Sequence, residues 1–322
     1  MNDIVREDTV RTGVFGFGAP YGVFASIGLV PVDVTLHPTQ RPTAADRYIE
    51  PFMDPFAASV LRGMVAGEFD DLDAIIFLRD SPGAMIACQY AFELARRGVT
   101  PADAPAPIML NILPADHAAA DRFNRAELDR LTETLGRLGW VAERGAEGHA
   151  GAFDFLVQAQ SAGEVSGENA FDTRAGVAAG RTVMAAPYAG QGPRFALLGA
   201  PLGNGVLHAA LDTLGTLAID QQALDQAHAA RGTGLPDALR AQAANPFAAR
   251  QPKPLYLPAV ADILSEHRID RVVWQVDAHD DLWGWLMPQV RALCADLGVG
   301  FTDLGFLPRW PEPHDIVIGE GV

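Results

Sequence analysis

The chain repeats itself, and this constrains its fold more than any other feature. Asp73-Ala74-Ile75-Ile76-Phe77-Leu78-Arg79-Asp80 reads in register with Asp270-Arg271-Val272-Val273-Trp274-Gln275-Val276-Asp277. Each phrase is an acidic residue, an apolar β-rich run, and a second aspartate seven positions on. Continuous apolar runs of this kind suit strands of a parallel sheet buried on both faces. A shorter pair, Gly18-Ala19-Pro20-Tyr21-Gly22 and Gly199-Ala200-Pro201-Leu202-Gly203, agrees at four of five positions. Two similar α/β halves facing each other bring both strand-end aspartates, Asp80 and Asp277, towards one cleft, where ligands bind.

Strand and helix spacings alternate along each half. Val14 to Gly18 reads as a strand into a glycine-rich turn, followed by a helix closed by Gly28 and a strand from Val30 to Val34. Helices are expected over Ala44–Tyr48, Pro55–Val65 and Ala84–Arg97, a strand over Pro107–Leu113, and an amphipathic helix over Arg125–Leu138. From Gly139 to Gly192 small residues dominate and apolar faces weaken, the reading being a helical connector. The second half repeats the alternation through strands at Arg194–Gly199, Thr216–Asp220, Asp270–Val276 and Gly300–Leu304. The fold class expected is therefore α/β: two similar doubly wound, Rossmann- or flavodoxin-like parallel-sheet domains. Their bounds are 1–138 and 193–322, with the connector over 139–192.

A formal charge of −16 excludes a nucleic-acid surface, which needs a basic stripe. No stretch has the length and apolarity of a membrane span, and the first residues lack a signal peptide's basic and apolar regions, so a cytoplasmic location is expected. Two cysteines, Cys88 and Cys294, are too few for a thiolate metal site and sit in predicted helix interiors. The turn Gly16-Phe17-Gly18-Ala19-Pro20-Tyr21-Gly22 departs from the dinucleotide fingerprint, its third glycine one position late and a proline in the turn.

The candidate site lies at the two repeated strand ends. Arg79-Asp80-Ser81-Pro82-Gly83 and Asp277-Ala278-His279-Asp280-Asp281 both follow apolar strands, at the edge a parallel sheet presents to ligands. Asp80 either caps the following helix or serves the site. In the second segment, three carboxylates and an imidazole crowd a few residues, a set suited to proton transfer or to a hard divalent cation. Asp80, Ser81, Asp277 and His279 are the candidate catalytic residues; Asp54, Asp80 and Asp277 are candidate metal ligands.

Taken in order, the phrases resemble the 2-hydroxyacyl-CoA dehydratase family, which includes benzoyl-CoA reductase subunits, and within it the smaller, β-type subunit. They are Pro20, the helix end Ala25-Ser26-Ile27-Gly28-Leu29-Val30-Pro31-Val32, Pro55-Phe56-Ala57-Ala58-Ser59-Val60-Leu61, Glu127-Leu128-Asp129-Arg130-Leu131, Gly199-Ala200-Pro201 and the tryptophan-rich segment after the second repeat. The resemblance implies two Rossmann-like lobes, an acyl-CoA substrate, lyase or reductase chemistry, and a paralogous partner subunit. It also implies an iron–sulfur cluster on three cysteines. By phrase these fall near Met53 or Asp54, Asp80 or Ser81, and Asp277 or Ala278, none of which is cysteine. Carboxylates are poor substitutes for thiolates on such a cluster.

The expectation is a cluster-less subunit that completes an acyl-CoA cleft, with any [4Fe-4S] cluster carried by the partner. One alternative is a redox-free acid–base or divalent-metal enzyme reusing the cleft. Another is a two-lobed protein that closes on a small acid or thioester.

Overall fold

A computed structural model describes residues 10–142, 150–248, 253–279 and 281–318. The described residues form two four-stranded, all-parallel sheets. The first contains β1 (Thr12–Phe15), β2 (Val32–Asp33), β3 (Ala74–Leu78) and β4 (Ala106–Leu110), in the order β2-β1-β3-β4. The second contains β5 (Arg194–Gly199), β6 (Thr216–Asp220), β7 (Arg271–Val276) and β8 (Gly300–Phe306), in the order β6-β5-β7-β8. The two orders are the same, strand for strand.

Helices lie on both faces of each sheet. In the first, Ile76 and Leu78 pack towards α1 (Tyr21–Ser26) and α4 (Ala118–Arg137), while Ile75 and Phe77 pack towards α2 (Pro55–Ala66) and α3 (Pro82–Arg96). This is why β3 has no polar face. In the second, Val272, Trp274 and Val276 join the core of α10 (Lys253–Glu266) and α11 (Asp281–Leu297), and Val273 joins that of α7 (Val206–Asp212). The repeat is thus carried by layers as well as by strands.

Hydrogen bonds fix its register. Asp73 accepts the Arg11 backbone N–H at 2.7 Å, and Asp270 accepts that of Arg194 at 2.8 Å. Thr12 pairs with Ala74 and Phe195 with Arg271, the residues directly after these aspartates, so Thr12 corresponds to Phe195. Four residues further on, Gly16 corresponds to Gly199. The two share left-handed φ values, 134° and 115°. The alignment of Gly18 with Gly199 suggested by the Gly-Ala-Pro phrase is therefore two residues out of structural register. A similar phrase coincides there, but the backbone requirement for glycine lies at Gly16.

The second half does not end cleanly at the first. The core between β1 and α4 also takes in Phe153 of α5 (Ala150–Ala162), Ala227 and Ala229 of α8 (Gln221–Ala229), and Ala238 and Leu239 of α9 (Leu235–Ala244). The connector expected over 139–192 is built of α5 and α6 (Gly167–Ala178), which pack on each other and on β6. Its weak apolar faces have a steric cause. A Cβ on Gly167 would stand 2.5 Å from Leu217, so small residues let α6 approach the sheet closely. No helix among the described residues is long and apolar enough to cross a membrane.

Candidate functional site

The C-terminal ends of both sheets face one another, and each end carries the same pair of acids. Val14 pairs with Asp33 and Leu197 with Asp220, so Asp33 and Asp220 are equivalent, as are Asp80 and Asp277. Asp33 accepts the backbone N–H of Thr35 at 2.7 Å, and Asp220 that of Gln222 at 2.9 Å, the same turn two residues on. The sequence reading named both strands and missed this correspondence. The connection from the glycine to the acid is longer in the second half, Gly199 to Asp220 against Gly16 to Asp33, so the two acids do not align in the sequence.

A cavity of about 390 Å³ opens between the lobes, within the size range of small-molecule sites. Its walls include Asp54, Asp80, Ser81, His279 and Arg309, with Phe15, Phe17, Phe56 and Leu282 as apolar surface. Asp277 lies directly behind His279 and Arg309, almost fully buried. The structure therefore gathers Asp54, Asp80, Ser81, Asp277 and His279 around one cleft. Asp280 lies outside the described residues.

Each side chain is held by its own strand-to-helix turn. Ser81, not Asp80, caps α3: its Oγ accepts the Ala84 N–H at 3.0 Å, with Pro82 in the first turn. Asp80 instead accepts the Gly18 N–H at 2.7 Å, bringing the glycine turn of β1 against it. A Cβ on Gly16 would stand 2.7 Å from the Asp80 carboxylate, so close approach as well as φ requires glycine there. Asp54 caps α2 through Oδ1, accepting from Phe56 and Ala57 at 2.8 and 3.3 Å. The first turns of α2 and α3 thus both meet the cavity wall, adding partial positive charge beside three carboxylates.

Arg309 is the residue that sequence reading missed. It follows the last strand and is buried. Its guanidinium donates to Asp54 Oδ2 at 3.0 Å and to the Pro201 carbonyl at 3.2 Å, and its Nε stands 3.4 Å from Asp277 Oδ2. Phe56 packs beneath it, 5.1 Å from the ring centroid. One cation therefore ties an acid of the first lobe to an acid of the second. No local pattern around Leu307-Pro308-Arg309-Trp310-Pro311 signals a contact with a residue 255 positions away.

His279 is oriented by the same acid. Asp277 Oδ1 accepts the His279 backbone N–H at 2.7 Å and lies 3.0 Å from Nδ1. An Nδ1–H donated to this carboxylate leaves Nε2 as the acceptor.

The cation set expected from Asp54, Asp80 and Asp277 is not assembled. Arg309 takes the place between Asp54 and Asp277 that a metal would need, and among the described residues no group of three metal-ligating side chains converges. The residues at the three thiolate positions do not fit an iron–sulfur cluster either. They are hard oxygen groups already engaged with backbone N–H donors and a guanidinium. Cys88 and Cys294 lie buried in α3 and α11 and do not line the cavity; burial pushes their thiols up to about 12 and about 11.

A second, much smaller space of about 30 Å³, enough for a single water, adjoins Asp33, Asp220, Asp225 and His208. Burial pushes Asp33 up despite bonds from Thr35 and from the Tyr21 hydroxyl, which donates at 2.8 Å. Burial also raises Asp225, to about 8, with the charge of Asp80 adding to it against the Asn245 hydrogen bond. For Asp220 burial likewise pushes up, but Arg174 at 2.8 Å and His208 at 3.2 Å outweigh it and hold it well below the usual carboxylate range. Equivalent positions are thus shifted in opposite directions, Asp33 up by burial and Asp220 down by Arg174 and His208. Of the tryptophans after the second repeat, Trp283 is buried beside this small space, Trp310 packs on Phe56, and Trp285 is exposed.

No protein-family model matches the chain, and no curated protein is significantly similar to it.

Proposed function

We propose that this chain is a cluster-less relative of the 2-hydroxyacyl-CoA dehydratase and benzoyl-CoA reductase family, holding an acyl ligand between its lobes beside an iron–sulfur partner subunit. One observation carries the reading: of the three places at which the resemblance puts cluster thiolates, near Met53 or Asp54, Asp80 or Ser81, and Asp277 or Ala278, Asp54, Asp80 and Ser81 line a single cavity and Asp277 lies directly behind its wall. The strand order 2-1-3-4 in both sheets, with helices on both faces, agrees with doubly wound lobes of flavodoxin-like type. It also agrees with lobes near 1–138 and 193–322, although the connector packs chiefly on the second. Two free buried cysteines suit a cytoplasmic location.

The cavity accommodates the acyl end of such a ligand, with the nucleotide outside. The chain's charge of −16 gives little attraction for CoA phosphates, so this reading sets them against the partner. Electron transfer is left to that partner. What this chain contributes is shape, the Ser81 hydroxyl, the α3 N-terminus and the fixed charge of Arg309. Co-purification from the native host, with mass spectrometry of the bound chains, tests the proposal. A cysteine-bearing relative in stoichiometric amount supports it; an isolated homo-oligomer that binds no CoA thioester removes it.

The Asp277–His279 pair favours a second reading, redox-free acid–base chemistry in the same cleft. A carboxylate-oriented imidazole with a free Nε2 at the cavity wall is an arrangement for general-base work. Proton exchange into an acyl thioester from deuterated water, followed by mass spectrometry and abolished in His279→Gln, distinguishes it from passive binding.

A further inference from the structure

We infer that a separate site beside the cleft binds a free aliphatic α-amino acid, of about the size of valine or leucine, and recognises it as a zwitterion. The site is independent of what fills the larger cleft. A cavity of about 100 Å³ lies on the far side of Asp80. Leu78 and Leu110, which line it, are the last residues of β3 and β4, so this is the C-terminal edge of the first sheet, where parallel sheets present ligand sites. Pro20, Ile112 and Pro114 complete an apolar wall. One water needs about 10–15 Å³ of such space, so the cavity takes about seven to ten water-sized atoms. A branched aliphatic amino acid fits that volume, and an aromatic one exceeds it.

Three polar side chains, Arg79, Asp80 and Gln242, share this space with the apolar wall. Gln242, on α9, is 6% exposed, and its Oε1 is buried with no hydrogen-bond partner among the described residues. A buried acceptor left unmet is costly, and an entering N–H relieves it. Gly18 holds that acceptor beside Asp80: its N–H donates to Asp80 Oδ2 at 2.7 Å, and its carbonyl accepts from Gln242 Nε2 at 3.4 Å. A carboxylate and an amide oxygen are thus presented together, a set suited to an ammonium, which carries three donors and a positive charge. Arg79 is exposed and pairs with no acid among the described residues, so its guanidinium can receive a carboxylate where the cavity meets solvent. One cation, one anion and an apolar wall match the carboxylate, the ammonium and the side chain of an aliphatic amino acid. A plain carboxylic acid would leave Gln242 unmet and set its charge against Asp80, and a plain amine would leave Arg79 unused.

Calorimetry on the full chain tests the site with L-leucine, with 4-methylpentanoate, which lacks the ammonium, and with isopentylamine, which lacks the carboxylate. L-leucine is expected to bind at least about tenfold more tightly than 4-methylpentanoate. Its advantage over isopentylamine is expected to be smaller, about fivefold, because water screens the exposed Arg79. Arg79→Met, a surface change, is expected to weaken L-leucine about fivefold while isopentylamine stays within about twofold. Ile112→Trp, at a half-buried position, fills the cavity and is expected to abolish L-leucine binding; Arg79→Met carries the test where that variant does not fold. Absence of L-leucine binding, binding no tighter than that of 4-methylpentanoate, or affinity unchanged by Arg79→Met overturns the site. Each of these results leaves the reading of the larger cleft standing.

Discussion

Replacing Arg309 by methionine keeps the aliphatic stem against Phe56 and removes only the charge that bridges the lobes. Asp277 is 4% exposed and would lose its cation, keeping His279 alone among the described residues, while Asp54 is 18% exposed and retains its helix-cap bonds and some water. Removing one partner of a buried ion pair costs about 3–5 kcal/mol. The more exposed Asp54 contact is discounted for solvent screening, which sets the expectation for Arg309→Met near the lower end, about 3 kcal/mol. Asp277→Asn leaves Arg309 paired with Asp54 and should cost less, about 1–2 kcal/mol. The double variant should fall short of the sum of the singles by about 1.5 kcal/mol or more, because the second change removes the charge that the first left stranded. Urea unfolding monitored by tryptophan fluorescence measures all four proteins, read from the first transition since two lobes need not unfold together. An Arg309→Met protein within about 0.5 kcal/mol of the parent, or strictly additive singles, would falsify the bridge.

The repeat makes a paired prediction: Asp73→Ala and Asp270→Ala each remove one solvent-exposed hydrogen bond to a backbone N–H and should each cost about 0.5–1 kcal/mol, additively, in the same unfolding assay. Gly16→Ala meets both a left-handed φ and the Asp80 carboxylate, and should cost about 1–3 kcal/mol, whereas Gly98→Ala, with open space around it and the same sign of φ, should cost less. Asp225 holds a proton in the folded state up to about pH 8 and loses it near pH 4 when unfolded, so the folded state binds the extra proton between those values. Its contribution to stability is therefore greatest below pH 4 and declines as pH rises to about 8. Asp225→Asn should flatten that decline, and an unchanged stability–pH curve would count against the buried acid. The Cys88 and Cys294 thiols, raised by burial, should resist a thiol reagent at pH 8 until the chain is denatured; rapid labelling of the native protein would contradict their placement.

What was legible in the sequence was whatever rests on local pattern. The two buried strands, their flanking aspartates and the helices that follow appear in the repeat because continuous apolar runs and capping residues are short-range signals. The placement of Asp54, Asp80 and Asp277 about one cleft followed from symmetry together with the resemblance, while their separation by Arg309 did not. Arg309 was not legible, since its partners lie in other elements and an isolated arginine after a strand has no signature. The equivalence of Asp33 with Asp220 was masked because the segment between strand-end glycine and acid is longer in the second half. The close packing of α5 and α6 was masked because the same small residues that weaken an amphipathic pattern are what permit helices to approach a sheet.

The most direct measurement is a crystal structure of the chain grown with an acyl-pantetheine thioester, without any partner. The account predicts thioester density between Ser81, His279 and Arg309. Density on any other surface, or lobes arranged so that Asp80 and Asp277 no longer share a cleft, would contradict it.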